Sequence, residues 1–507
     1  MRTTFKYARP LEIPIVKKPT LKVAVVIACR DGQEKLDLVL ASLKEQSYPA
    51  ALFSVYIVDD SSEVPLTLPK IRPAKTKIIK FKNKDHAWGK TLATNYAVST
   101  LKEDVLWFID ADMILEPDHL AHHMKWHHQY DDFVVLGWKR FVAEWNYSPA
   151  QLSQELKAGR FAALHPRSET KEAWELLIKG TDELRQPGLE SFRALVGATF
   201  SMTRKNWNRL GGYNPLFTTG EDNELGWRAL MAGLRFVPER QALSWHLGIS
   251  TVEVHTDAVI AHNRPLFANH VPAMGYLRSN DQLTWAIPEN YIVADCRNMP
   301  AEAFKNMVNE FFDDEQGQAK FHLIAPWKEL SARYSVTKDS LKELREIKRW
   351  VASDPRFTFE EVSDSNKLTI PEIFERFTNP SVPFFYYTEG AIEPVVRFRA
   401  LRHRISKSGN GLEGVVDSKD QRTFILYAPA LGRARSAGGN FYFNIEQLWG
   451  LRWHEISQFD FSKTLSSRNL VPLIGIALRA AKRIRKPSDF TKLAKKTIHV
   501  LKKTITK

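Results

Sequence analysis

Cysteine is almost missing from this 507-residue chain, which has only Cys29 and Cys296. So few thiols, set so far apart, exclude a disulfide-stapled fold and fit a reducing compartment. Long apolar runs are missing as well. No stretch approaches the roughly 18 consecutive apolar residues of a spanning helix. The N-terminal Arg2, Lys6, Arg9, Pro10, Pro14, Lys17, Lys18 and Pro19 precede the first strand without an apolar signal segment, so a cytoplasmic protein is expected. Acidic charge is missing from the tail. From Phe461 onward Asp489 stands alone among 13 lysines and arginines, which places +12 of the formal +14 there and leaves +2 for the rest. The basic balance therefore describes one segment. Past Lys463 that segment has one aromatic, Phe490, and no recognised binding module, so no nucleic-acid partner is expected.

What is present is an ordinary globular composition, 44% hydrophobic and 26% charged, in a chain long enough for about two to four domains. Residues 22–29 form a β-branched apolar run suited to a strand buried on both faces. Leu36, Val39, Leu40 and Leu43 mark a helix, Val55–Val58 a second strand, Lys77–Phe81 a third, Thr91–Leu101 a helix and Val105–Ile109 a fourth strand. This alternation predicts an α/β fold with a doubly wound, mostly parallel sheet, whose ligands bind at the carboxyl ends of the strands.

Three of those ends are acidic. Arg30 and Asp31 follow the first strand, Asp59 and Asp60 the second, and Asp110 and Asp112 the fourth. Polar residues also end strands for no chemical reason, so each acid alone is weak; the Asp110-Ala111-Asp112 pair is the strongest, because two carboxylates at a buried strand end suit a metal-phosphate site. Residues 140–190 are polar and helical in pattern, with no nameable chemistry. Val196–Met202 reads as a short strand and Leu210-Gly-Gly-Tyr-Asn-Pro215 as a turn. Thr219–Arg228 opens a helix with Glu221 and Asp222 in its first turn, while Phe236–Pro238 and Ala242–Gly248 read as extended and set His246 near a strand end.

The ordered set of Val58-Asp-Asp-Ser-Ser62, Gly89-Lys90, Asn95, Asp110-Ala-Asp112, Gly211-Gly-Tyr213, Glu221-Asp222, Leu225, Gly233 and Trp245-His246 resembles family 2 glycosyltransferases of the GT-A fold over about residues 21–250. The resemblance implies sugar transfer from a nucleotide-diphosphate donor with Mn²⁺ or Mg²⁺. It implies Asp112 as a direct metal ligand, Asp110 on the ribose and metal, and His246 as the third group near the metal. Asp60 would accept from the base, an arrangement suited to uracil N3–H, with Asp59 supporting its loop. Ala28, Arg30 and Asp31 stand where the family covers the nucleotide, although the family often has a threonine or aromatic residue near there. Lys90 would neutralise phosphate charge or remain solvated. Asp222 would be the catalytic base of an inverting transfer, and Glu221 would either orient the acceptor or complement the helix dipole.

Past Pro272 a fresh series begins. Tyr291–Asp295, Lys320–Ala325, Phe357–Val362 and Pro383–Glu389 read as extended, and Ala301–Phe312, Leu341–Val351 and Ile370–Phe377 as helical. We expect an N-terminal extension over 1–20, a GT-A domain over 21–272, an accessory α/β domain over 288–460 that is either a degenerate copy of the first or an unrelated α/β unit, and a basic tail over 461–507. Only Glu389 stands where the first domain has two aspartates. Phe490, Leu493, Ala494, Ile498, Leu501 and Ile505 recur at helical spacing among lysines, which predicts an amphipathic helix on an anionic membrane surface. The expected function is transfer to a cell-envelope glycan or lipid-linked acceptor, peripherally attached inside the plasma membrane. Transfer to a protein or small molecule by a soluble enzyme, or a silent glycan-binding scaffold, are the alternatives.

Overall fold

A computed structural model describes residues 9–456, apart from 83–88, 143–145, 165–171, 187, 249–253, 279–284, 316–317, 364–367, 378–380, 390–394 and 418. The amphipathic helix expected in the tail lies outside the described residues. Among those described, no helix is long and apolar enough to cross a membrane.

The first sheet has eight strands: β1 (Val23–Cys29), β2 (Phe53–Asp60), β3 (Thr76–Phe81), β4 (Val105–Ile109), β5 (Met113–Leu115), β6 (Phe133–Val142), β7 (Thr199–Thr203) and β8 (Arg235–Leu247). Helices among the described residues that accompany them include α1 (Gln33–Lys44), α2 (Lys90–Ser99), α3 (His119–His127), α4 (Pro149–Lys157), α5 (Phe161–Leu164), α6 (Ala173–Gly180), α7 (Arg204–Leu210) and α8 (Glu221–Met231). The apolar runs of β1 and β4 are explained by covering on both faces. Side chains alternate along a strand, so Val23, Val25, Ile27, Trp107 and Ile109 enter one core layer with Leu36, Val39 and Leu40 of α1. Ala24, Val26, Leu106 and Phe108 enter the other, with Ala93 and Ala97 of α2 and Leu225 of α8.

The strand order is β3-β2-β1-β4-β7-β6-β8-β5. The sheet is mixed. β3-β2-β1-β4 are parallel, with α1 joining β1 to β2, a loop joining β2 to β3 and α2 joining β3 to β4, and β6 also pairs parallel with β8. In contrast, β7 lies antiparallel to β4 and β6, and β5 antiparallel to β8. Two boundaries differ from expectation. Residues 196–198 precede β7 as a turn, because Gly197 is turned toward α8. The segments around Pro238 and Trp245 form one strand, carried past the proline by a register shift opposite Leu136 and Trp138.

The second sheet contains β9 (Asn290–Asp295), β10 (Ala319–Ala325), β11 (Phe357–Glu361), β12 (Phe384–Glu389), β13 (Leu412–Val416), β14 (Arg422–Tyr427) and β15 (Leu451–Glu455). Its order is β11-β10-β9-β12-β14-β13-β15. The first three pairings are parallel, the next two antiparallel and the last parallel. This is the same sequence of partners and directions as β3-β2-β1-β4-β7-β6-β8. The two halves touch backbone to backbone: a Cβ on Gly233, whose φ is +79°, would lie 2.2 Å from the Arg433 nitrogen. Only glycine fits there.

Candidate active site

The turn after β4 is the start of the site. The Met113 N–H donates to the Asp110 carbonyl at 3.3 Å and the Asp110 N–H to the Ala198 carbonyl at 3.0 Å, so the chain reverses within four residues and enters β5. The β5–β8 ladder then sets Met113 opposite His246, and the Leu247 N–H donates to the Asp112 carbonyl at 2.9 Å. A histidine 134 positions downstream is thereby fixed beside Asp112, with His246 Nε2 3.4 Å from Asp112 Oδ1.

His246 Nδ1 lies 3.2 Å from the Gly248 carbonyl. A carbonyl only accepts, so Nδ1 carries the proton in the neutral ring and Nε2 turns its lone pair toward Asp112. Asp112 Oδ1 is itself buried and accepts no hydrogen bond among the described residues. Two lone pairs facing each other in a buried place repel, unless a cation lies between them. Ligand atoms of Asp110, Asp112 and His246 all lie within 4.8 Å of one another. Burial pushes the Asp112 carboxyl up, with His246 opposing and Asp110 adding to the shift.

Lys90, the first residue of α2, joins this cluster to a second one. Its Nζ donates to Asp110 Oδ1 at 2.7 Å and lies 3.3 Å from Glu221 Oε1. Burial works against its charge, but Asp110 and Glu221 outweigh that and hold its pKa well above the usual lysine value. Glu221 is 6% exposed. Burial raises its pKa to about 7, with Lys90 opposing and Asp222 adding. Asp222 is anchored rather than buried: Oδ2 accepts from the Gly197 N–H at 2.8 Å, and Oδ1 from the Asn223 N–H at 2.7 Å.

The remaining expected residues form the rim on the β1–β2 side. Asp60 is buried and its Oδ2 accepts from the Gly89 N–H at 3.0 Å, tying β2 to the start of α2. Asp59 accepts from the Ser62 and Leu66 N–H groups and so shapes the loop after β2. Asp31 Oδ1 accepts from the Glu63 N–H at 2.7 Å, while its own N–H donates to Ser62 Oγ. Both Asp31 (φ 52°) and Ser61 (φ 59°) are left-handed, a strained state for such residues that these cross-loop bonds maintain. Arg30 lies 3.8 Å from Asp31, and Ala28 sits in β1 opposite Val58.

Three contributors had no signal in the sequence. Lys35 of α1 donates to the Leu247 carbonyl at 2.8 Å and lies 3.7 Å from Asp112 Oδ2. Gly197 fits between the catalytic candidates, since a Cβ there would lie 3.3 Å from Asp222 Oδ2 and 3.4 Å from Lys90 Nζ. Behind β4, His119, His123 and His127 are buried on α3; burial lowers the pKa of His119 and His127 to about 3 and of His123 well below normal. His119 and Trp107 both bond the Thr199 hydroxyl, and His123 and His127 both bond that of Ser201. These neutral histidines fasten α3 to β7 under the site.

The family model described as Glycosyl transferase family 2 matches residues 24–185, a span that contains Asp60, Lys90, Asp110 and Asp112. Similar curated proteins are the uncharacterized glycosyltransferase YfnE of Bacillus subtilis, 27% identical over 259 residues (45% of this chain, 64% of that protein), and 4,4'-diaponeurosporenoate glycosyltransferase of Staphylococcus haemolyticus, 29% identical over 101 residues (20% and 26%). The chain thus spans less than two thirds of either relative. Among solved structures, the mannosyltransferase PcManGT from Pyrobaculum calidifontis in complex with GDP-Man and Mn²⁺ is similar at 16% identity, covering 54% of this chain and 68% of that one with a TM-score of 0.35. The part of the chain that carries β1 to β6 and the paired aspartates, residues 24–185, is a glycosyl transferase family 2 domain.

Proposed function

We propose that the protein is an inverting, metal-dependent glycosyltransferase that uses a nucleotide-diphosphate sugar, by preference a UDP-sugar, and extends a cell-envelope glycan or its lipid-linked precursor. One observation carries the reading: Lys90 links a three-ligand cluster, Asp110, Asp112 and His246, to a carboxylate pair, Glu221 and Asp222. The residues fit a hard divalent ion, because Asp112 Oδ1 is buried, has no donor among the described residues and faces an imidazole nitrogen. Asp110, Asp112 and His246 would hold Mn²⁺ or Mg²⁺. When bound, such an ion offsets the negative charge that the departing diphosphate develops.

The chain's own groups do the rest. Asp60 accepts from the base, and Ala28, Arg30 and Asp31 line the nucleotide's edge. Lys90 balances Asp110 and Glu221, which holds the donor and acceptor sides at a fixed spacing. Asp222 removes the proton from the acceptor hydroxyl as that oxygen attacks the sugar carbon. Glu221, titrating near neutrality, is able to donate a hydrogen bond to the acceptor when protonated. Residues 21–272 form the transferase domain and 288–460 its degenerate copy, while the basic tail from 461 attaches the enzyme to the inner face of the plasma membrane.

The test is Asp222→Asn. We expect it to keep the thermal stabilisation by UDP and Mn²⁺ while UDP release from a panel of UDP-sugars with candidate acceptors falls by about 10² to 10⁴-fold. Turnover near the wild-type rate puts the base elsewhere.

A further inference from the structure

The matching strand orders give the elements that carry Lys90, Gly197 and the Glu221–Asp222 pair, though not β5, counterparts in the second half. The helix after β11 (Ile370–Phe377) corresponds to α2 after β3. The start of β14 corresponds to that of β7, and the helix before β15 (Phe441–Trp449) to α8 before β8. In the first half these three places supply Lys90, Gly197 and the Glu221–Asp222 pair. In the second they line an open cavity of about 420 Å³ with Leu368, Thr369, Ile370, Pro371, Arg422, Asn440 and Tyr442. The cavity therefore stands where the first half brings donor and acceptor together.

Its chemistry differs in a defined way. Glu389 ends β12 as Asp110 follows β4, but its partner is Arg422, at 2.7 Å, from the adjacent strand. Arg422 also donates to the Leu368 carbonyl at 3.1 Å. The charge of this counterpart is closed on itself. Among the described residues no carboxylate lines the cavity, and none of them supplies it with a base or a hard-metal ligand. What it offers is an apolar floor of Leu368, Ile370 and Pro371, an aromatic ring, and neutral polar groups. The Tyr442 hydroxyl accepts from Trp453 Nε1 at 2.6 Å and keeps its proton for another acceptor. Asn440 uses Oδ1 to cap Phe443 at 3.0 Å, which leaves its amide hydrogens unpartnered among the described residues. The connection from β13 to β14 is short, where the one from β6 to β7 carries α4 to α6, so this cavity is open to a long ligand.

We infer that this cavity binds an uncharged pyranose unit of a glycan without transferring it, holding an acceptor chain for the first site. An apolar and aromatic floor takes the C–H face of a sugar ring, and the Tyr442 and Asn440 donors take its hydroxyls. The closed Glu389–Arg422 pair disfavours an anionic ligand. The acceptor role rests on the function proposed above; the binding itself does not.

Saturation-transfer NMR on the full chain in EDTA, with glucose, galactose, mannose and N-acetylglucosamine each as probe, tests it. We expect at least one sugar to give transfer signals that persist in Asp112→Ala and fall at least fivefold in Tyr442→Ala and in Asn440→Asp. Aspartate keeps the helix cap but lacks the amide donors, so Asn440→Asp decides if Tyr442→Ala misfolds. No signal from any of the four sugars, or signals undiminished in Asn440→Asp, overturns the inference. Stabilisation of the wild type by UDP and Mn²⁺ is measured alongside; if it is absent while the sugar signals behave as expected, the transferase reading fails and the binding site stands.

Discussion

Glu221→Gln isolates the electrostatics at the join between the two clusters. Glu221 titrates at about 7 in the folded protein and at about 4.3 when unfolded. A raised carboxyl pKa means that the folded state favours the neutral form. The associated stability is present below the unfolded value and is lost as pH rises through about 7. Each pKa unit is worth about 1.4 kcal/mol, so the wild type carries a burial penalty of about 4 kcal/mol above pH 8. About 2.5 kcal/mol of that develops between pH 5 and pH 8. Glutamine has nearly the same shape and no charge to bury, and Lys90 keeps its 2.7 Å bond to Asp110. The stability of Glu221→Gln relative to wild type should therefore rise by about 2.5 kcal/mol from pH 5 to pH 8. Thermal unfolding in EDTA at both pH values reads it as a widening gap in the melting temperature. A gap that does not change with pH refutes the assigned pKa.

Two further outcomes follow from geometry and charge. Gly212 has φ +72°, and a Cβ there would lie 2.6 Å from Asn95 Oδ1, so Gly212→Ala should cost about 2 kcal/mol from the left-handed backbone alone and break the Asn95 bonds to the Tyr213 backbone; a melting temperature within a degree of wild type contradicts this. Truncation after residue 460 should abolish binding to anionic phosphatidylserine vesicles while the UDP and Mn²⁺ shift persists, and cosedimentation unaffected by truncation removes the membrane role from the tail.

Much of the first sheet was legible because β1 and β4 are apolar throughout, a pattern that demands cover on both faces. The acidic strand ends were legible for the same reason: a carboxylate that follows such a run must leave the core at the ligand rim. The mixed character of the sheet was not. β5 is three residues long, too short for any period to show, yet it is the strand that delivers His246 to Asp112. Val196 and Ala198 made residues 196–202 look like one strand, because apolar composition does not reveal that the Gly197 N–H turns to Asp222. Lys90 read equally well as a solvated side chain; its role depends on two acids 20 and 131 positions away. The helix α3 carries His119, His123 and His127, which look polar in sequence and are buried because Thr199 and Ser201 hydroxyls meet them.

Titration of Mn²⁺ into the full chain in the presence of UDP, followed by the loss of the free-ion EPR signal, tests the central assignment most directly. One ion should bind per chain, with affinity falling at least tenfold in Asp112→Asn and in His246→Ala but little changed in Glu221→Gln. Equal Mn²⁺ affinity in all four proteins would contradict it.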